Sequence, residues 1–288
     1  MIESFLASWM LFHTTYLAGW SIGLLLSLIG VLVVARDQIF IGAAISQAST
    51  LGIALGMWIA GWAAAGALAW LSPDQFLTTT AVAFSLIAAL ATSRGGGAGR
   101  ESHEAITGWV FLASASLSIL IVSHSPHGLE EIHRLLASSI IGATATDLWI
   151  FGVLATLTVV GVWVTRERLL LFAMDPPMAA AVGMNTSRWA NLISAWLGLA
   201  VGLSIRSSGM LYTFGCLVLP GLIAKNLCRE VHPMLLVAPA IAVGAGAVGF
   251  MLANHYDFPP AQMTIALLSL LLAIAWLMRR RRHAADAS

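Results

Sequence analysis

The sequence predicts an all-α protein, a polytopic transmembrane helical bundle of about eight or nine spans in which some helices are broken or re-entrant. Three observations carry this. Of the 288 residues, 59% are hydrophobic and only 9% charged, where a water-soluble domain carries roughly 25% charged residues. Mean hydropathy is +0.89, so too few polar side chains exist to coat a globule of this size. Apolar runs of about 20 residues, the length that crosses a bilayer, alternate with short polar breaks.

Taken in order, the runs fall at 8–34, 39–70, 76–93, 105–123, 147–164, 188–205, 209–223, 233–253 and 261–278. Only a helix satisfies every backbone polar group inside such a segment. The breaks hold the residues that stop helices: SPDQ at 72–75, RGGGAGRESHE at 94–104, SHSPHGLEEIH at 123–133, MDPPM at 174–178 and DFPP at 257–260. The shortest run, 209–223, is a candidate broken or re-entrant segment. No loop is long enough to bury a core of its own, so residues 1–288 read as a single transmembrane domain.

Lys and Arg stay on the cytoplasmic side of short loops. With nine spans and the N-terminus outside, all of the fourteen Lys and Arg except Arg134 and Arg206 fall inside. That topology puts the C-terminus inside. The start, MIESFLASWMLFHTTYLAGW, has no basic leader region and no A-x-A site, so no cleaved signal peptide is expected. Cys216 and Cys228 read as two separate small fillers. A net charge of +1 gives no reason to expect nucleic acid as a partner. Absence of a G-x-x-x-x-G-K-[ST] loop excludes a typical ATPase in this chain, and absence of HExxH and GxSxG weighs against a membrane hydrolase. Ionisable residues are almost missing from the spans, His13 being the clearest exception.

Five segments carry further information. RDQIFIGAAISQASTLGIALG, 36–56, is rich in small residues that let helices approach closely. It is either a packing face or the lining of a translocation path, with Ser46, Gln47, Ser49 and Thr50 as a polar stripe. Ser46 and Thr50 share one face and Gln47 the neighbouring one. In 166–189, Asp175 before Pro176 and Pro177 reads as an N-cap with prolines in the first turn. A short helix follows from about Pro176 to Ala181, with Gly183 as its stop; it is a bare connector or a docking point for a cytoplasmic partner. Pro220 breaks the run at 206–227, as a packing kink or at a substrate path. His255 with Asp257, and His124, His127 and His133 with Glu130 and Glu131, are weak metal-ligand candidates beside the simpler reading of polar loops.

Together these segments resemble, in order and spacing, the membrane permease subunit of bacterial ABC importers for zinc and manganese. FIGAAISQASTLGIA at 40–54 is similar to the family's early signature, and EAITGWVFLASASLSI at 104–119 to its next small-residue helix. MDPPMAAAVGM at 174–184 is similar to its coupling segment, SGMLYTFGCLVLPGLIA at 208–224 to its late helix, and YDFPPAQMTIAL at 256–267 to its ending. The resemblance implies a permease with ATP hydrolysis on a separate cytoplasmic ATP-binding cassette subunit. It also implies a periplasmic or lipid-anchored solute-binding protein, a second permease copy (homodimer) and a place in the bacterial inner membrane. Asp175, Pro176, Ala180 and Gly183 would then couple to the ATPase, and no cofactor would be bound, the divalent metal (Zn²⁺ or Mn²⁺) being cargo. The sequence departs from the family where an Asp and a His would face the path: Ala43 and Gln47 stand there, and a neutral amide is a poor step for a bare divalent cation. His103, placed in the loop before Glu104, does not replace them. A permease for a metal chelate or other small solute, a secondary transporter without an ATPase, and a membrane enzyme or assembly protein are the rival readings.

Overall fold

The computed structural model describes residues 2–62, 73–93, 102–123 and 140–286. Among them the secondary structure is helical: α1 (Ile2–Ala35), α2 (Phe40–Trp62), α3 (Pro73–Ser93), α4 (His103–Val122), a single 3₁₀ turn (Ile140–Gly142), α5 (Ala145–Met174), α6 (Pro176–Ala181), α7 (Thr186–Leu227), α8 (Val231–Tyr256) and α9 (Pro260–Asp286). Eight of these helices are long and apolar enough to cross a membrane. The 42-residue α7 merges the two runs at 188–205 and 209–223, but Gly209 inside it has φ 80° and ψ 168°, a conformation that glycine adopts most readily. It therefore consists of two helical halves, 186–208 and 210–227.

Helix ends follow local chemistry. The Ser102 hydroxyl caps α4 by accepting from the Ala105 N–H at 3.1 Å. This makes His103 the first residue of α4 and corrects its placement in the loop; its Nδ1 donates to the Thr92 carbonyl at 2.8 Å. Thr144 and Asp147 form a reciprocal capping box at the start of α5. Asp257 ends α8 with φ 56°, and Pro260 opens α9 at a position where a missing N–H does no harm.

The chain divides into two compact units. One comprises 38–138 and 185–210, holding α2, α3, α4 and the first half of α7. Small residues set its packing, as they must where lipid tails are as apolar as leucine and only close approach and hydrogen bonds favour contact. A Cβ on Gly52 would overlap the Thr80 carbonyl, and one on Gly202 the Ser85 hydroxyl. Ser85 donates to the Gly198 carbonyl at 2.7 Å, Ser93 to Asn191 Oδ1 at 3.2 Å, and Arg206 pairs with Asp74. These rungs run α3 and the first half of α7 antiparallel.

The other unit comprises 1–37, 139–184 and 211–288. Its centre is α1, whose Ile22, Leu25, Leu26 and Val31 are fully buried. Gly30 lies so close to the second half of α7 that a Cβ there would overlap the Leu217 carbonyl. Tyr212 donates to the Gly19 carbonyl at 3.0 Å, and Lys225 pairs with Asp37 at 2.6 Å, so this half runs parallel to α1. α5 also runs with α1, since Ile140 approaches Gly19 and Arg36 stacks over Phe172 at 4.8 Å. α8 runs against it, with Phe250 beside Gly19 and Ala242 beside Gly23.

Candidate functional site

α6 is the feature that the sequence located most closely. Asp175 Oδ1 accepts from the Met178 N–H at 2.9 Å, and Pro176 and Pro177 occupy the first two positions, where no N–H is required. At the other end the Met184 N–H donates to the Ala179 carbonyl and the Gly183 N–H to Ala180, both at 3.0 Å. With Gly183 at φ 85°, this is a complete Schellman stop. Asn185 then caps α7 through the Arg188 N–H at 3.0 Å. Six residues form a stable helix here because both ends are hydrogen-bonded, although isolated helices of this length are unstable.

Only Ala179 of this helix is buried. Met178 is 50% exposed and Val182 57%, one helical step apart and so on one face. Ala180 is exposed as well.

In α2 the four stripe residues separate. Ser46, Ser49 and Thr50 are buried, whereas Gln47 and Ala43 lie partly exposed on their own stripe. Thr50 returns its hydroxyl to the Ser46 carbonyl at 3.1 Å. The hydroxyls of Ser46 and Ser49, and that of Ser204 in the first half of α7, are buried without a hydrogen-bond partner, which is uncommon for buried polar atoms. Gln47 Nε2 donates to the Met210 sulfur at 3.2 Å. Sequence reasoning missed Met210 because the partner lies 163 residues away and methionine in an apolar run reads as packing.

Pro220 is buried in the second half of α7. Having no N–H, it leaves the Cys216 carbonyl without its helical donor. Arg36, at the end of α1, is half-buried, and loss of hydration lowers its guanidinium pKa from the ordinary value. His255 packs edge-on against Tyr256 at 4.8 Å, and both His255 and Asp257 are exposed. Among the described residues no three His, Cys, Asp or Glu side chains gather as a metal site. His124, His127 and His133 lie outside the described residues.

The family profile described as the ABC 3 transport family matches residues 9–279, nearly the whole chain. This chain is a member of the ABC 3 transport family. Among curated relatives, the manganese transport system membrane protein MntB of Synechocystis is 26% identical over 61% of this chain and 57% of its own length. The chelated iron transport system membrane protein YfeD of Yersinia pestis is 23% identical over 88% of this chain and 80% of its own. The manganese transport system membrane protein MntC of Halalkalibacterium halodurans is also 23% identical, over 88% and 82%. Among solved structures, PsaBC from Streptococcus pneumoniae in complex with Fab superimposes with a TM-score of 0.77 at 19% identity, covering 96% of this chain and 95% of the other. The chain thus shares its fold with that structure, and the ABC 3 member described here is an integral membrane permease.

Proposed function

We propose that this chain forms the path of an ATP-driven importer for a divalent metal ion, manganese or zinc, in a bacterial inner membrane. Two copies form a homodimer, each docking an ATP-binding cassette subunit on the inside. A periplasmic or lipid-anchored solute-binding protein delivers cargo outside. Residues 1–288 work as one permease domain.

The observation that carries this reading is α6. Its exposed Met178 and Val182 suit a cleft on a cytoplasmic ATPase, and the two caps make Asp175, Pro176, Ala180 and Gly183 a rigid lever. Co-purification tests it. Met178→Asp with Val182→Asp is expected to release the ATPase subunit from the solubilised complex; full co-purification would overturn the coupling role.

Helix direction supports nine passes. Arg36 over Phe172 and Asp37 with Lys225 put the ends of α5 and of the second half of α7 at the same side of one unit. The chain must cross back between them, so 186–208 and 210–227 count as separate passes. With the Lys- and Arg-rich loops on the cytoplasmic side, the N-terminus is outside and the C-terminus inside.

On α2 we assign the path to the stripe of Ala43 and Gln47, with the buried hydroxyls of Ser46, Ser49 and Thr50 behind it. Pro220 is a separate candidate through the carbonyl it frees. His255 and Asp257, and His124, His127 and His133, are at most transient cation contacts. A second reading, a chelated metal as cargo, is favoured by the neutral Gln47–Met210 pair, which offers an amide and a thioether but no carboxylate. Uptake of Mn²⁺, Zn²⁺ and chelated iron by a deletion strain under metal starvation separates the two. Unchanged uptake of all three would remove the metal assignment.

A further inference from the structure

We infer that the groove between α1, α5 and α8 binds one anionic phospholipid, with the acyl chain along its aliphatic wall and the phosphate held by Arg166 and His232. The groove lies wholly within one unit and has a volume of about 310 Å³. Leu24 and Leu28 line it from α1, Val159 and Val162 from α5, and Leu235 and Leu236 from α8.

Helix direction places the two polar side chains at one end. α5 runs with α1, so Arg166 lies toward the Arg36 end; α8 runs against α1, so His232, in its first turn, lies at that end too. Trp163, one turn before Arg166, is 73% exposed, and indole rings are enriched at the boundary between headgroups and chains. Arg168 offsets Glu167, leaving this end of α5 cationic. The lining is open rather than closed, with Leu236 76% exposed, and in a bilayer such a surface meets lipid.

A long aliphatic wall ending in a guanidinium and an imidazole matches an amphiphile with one negative headgroup. The guanidinium fork takes two phosphate oxygens, and imidazole supplies a further ring N–H. Basic pockets between transmembrane helices bind anionic headgroups in this way. The inference does not depend on which ion is carried, because it is read without transport.

The test is retention. The full-length chain is extracted from vesicles containing equal phosphatidylglycerol and phosphatidylcholine, and bound lipid is counted by native mass spectrometry. The wild type is expected to keep phosphatidylglycerol over phosphatidylcholine by about tenfold. Arg166→Gln with His232→Gln should bring the ratio to about one with helical circular dichroism unchanged. Leu236→Trp, which fills the groove and spares both headgroup residues, should also lose the lipid. No preference in the wild type, or equal retention in either variant, overturns the proposal. Displacement of the lipid by inorganic phosphate alone, or a dimer lost in Leu236→Trp with no lipid bound, overturns it as well.

Discussion

Asp37 and Lys225 close a 2.6 Å ion pair between the turn that ends α1 and the last turn of α7. Asp37 is 77% exposed and holds φ 53°, so its backbone matters more than its charge. Lys225→Ala is expected to change stability by less than about 1 kcal/mol, the usual range for an exposed pair. Asp37→Val places a β-branched residue in the left-handed region and should cost about 1–2 kcal/mol, while Asp37→Gly should be tolerated. Thermal unfolding of the detergent-solubilised chain ranks the three; a larger loss for Lys225→Ala than for Asp37→Val would contradict this.

Gly30 and Gly244 form a matched pair. A Cβ at Gly30 meets the Leu217 carbonyl, whereas one at Gly244 meets nothing within 4 Å. Gly30→Ala is expected to destabilise by about 1–3 kcal/mol through forced backbone shifts. Gly244→Ala should be neutral or stabilising by up to about 1 kcal/mol. Size-exclusion profiles after graded heating distinguish them.

Asp175→Ala removes the carboxylate that caps α6 and should cost about 1 kcal/mol locally, with Asp175→Asn close to wild type. Hydrogen exchange at the Met178 amide reports this directly. Equal exchange in the two variants would show that the cap is held by the prolines alone.

Ala43→Asp combined with Gln47→His restores an acid–imidazole step on one face of α2. Relative uptake of bare Mn²⁺ or Zn²⁺ is expected to rise by about tenfold, corresponding to about 1.4 kcal/mol. Unchanged selectivity would place the discriminating step elsewhere.

Most helices and α6 were legible in the sequence because their causes are local: apolar runs, an Asp before two prolines, a glycine after Val182. The separation of 188–205 from 209–223 was legible too, through the shortness of the second run, whereas the role of Gly209 was not. What stayed hidden was pairing at a distance. Nothing near Gln47 announces Met210, and Gly30 resembles any other small residue until Leu217 is beside it. The buried, unpartnered hydroxyls of Ser46, Ser49 and Ser204 emerge only once neighbours are known.

The central place of α1 has a consequence for synthesis. Its neighbours α5, the second half of α7 and α8 lie more than a hundred residues downstream, and at roughly 5–20 residues per second they follow only after several seconds or longer. During that interval lipid tails must stand in for them against Leu25, Leu26 and Val31. A segment with almost no ionisable side chain tolerates that wait; one bearing a carboxylate at its centre would not. The near-absence of charge from α1 therefore serves the order of assembly in the membrane as well as the finished packing.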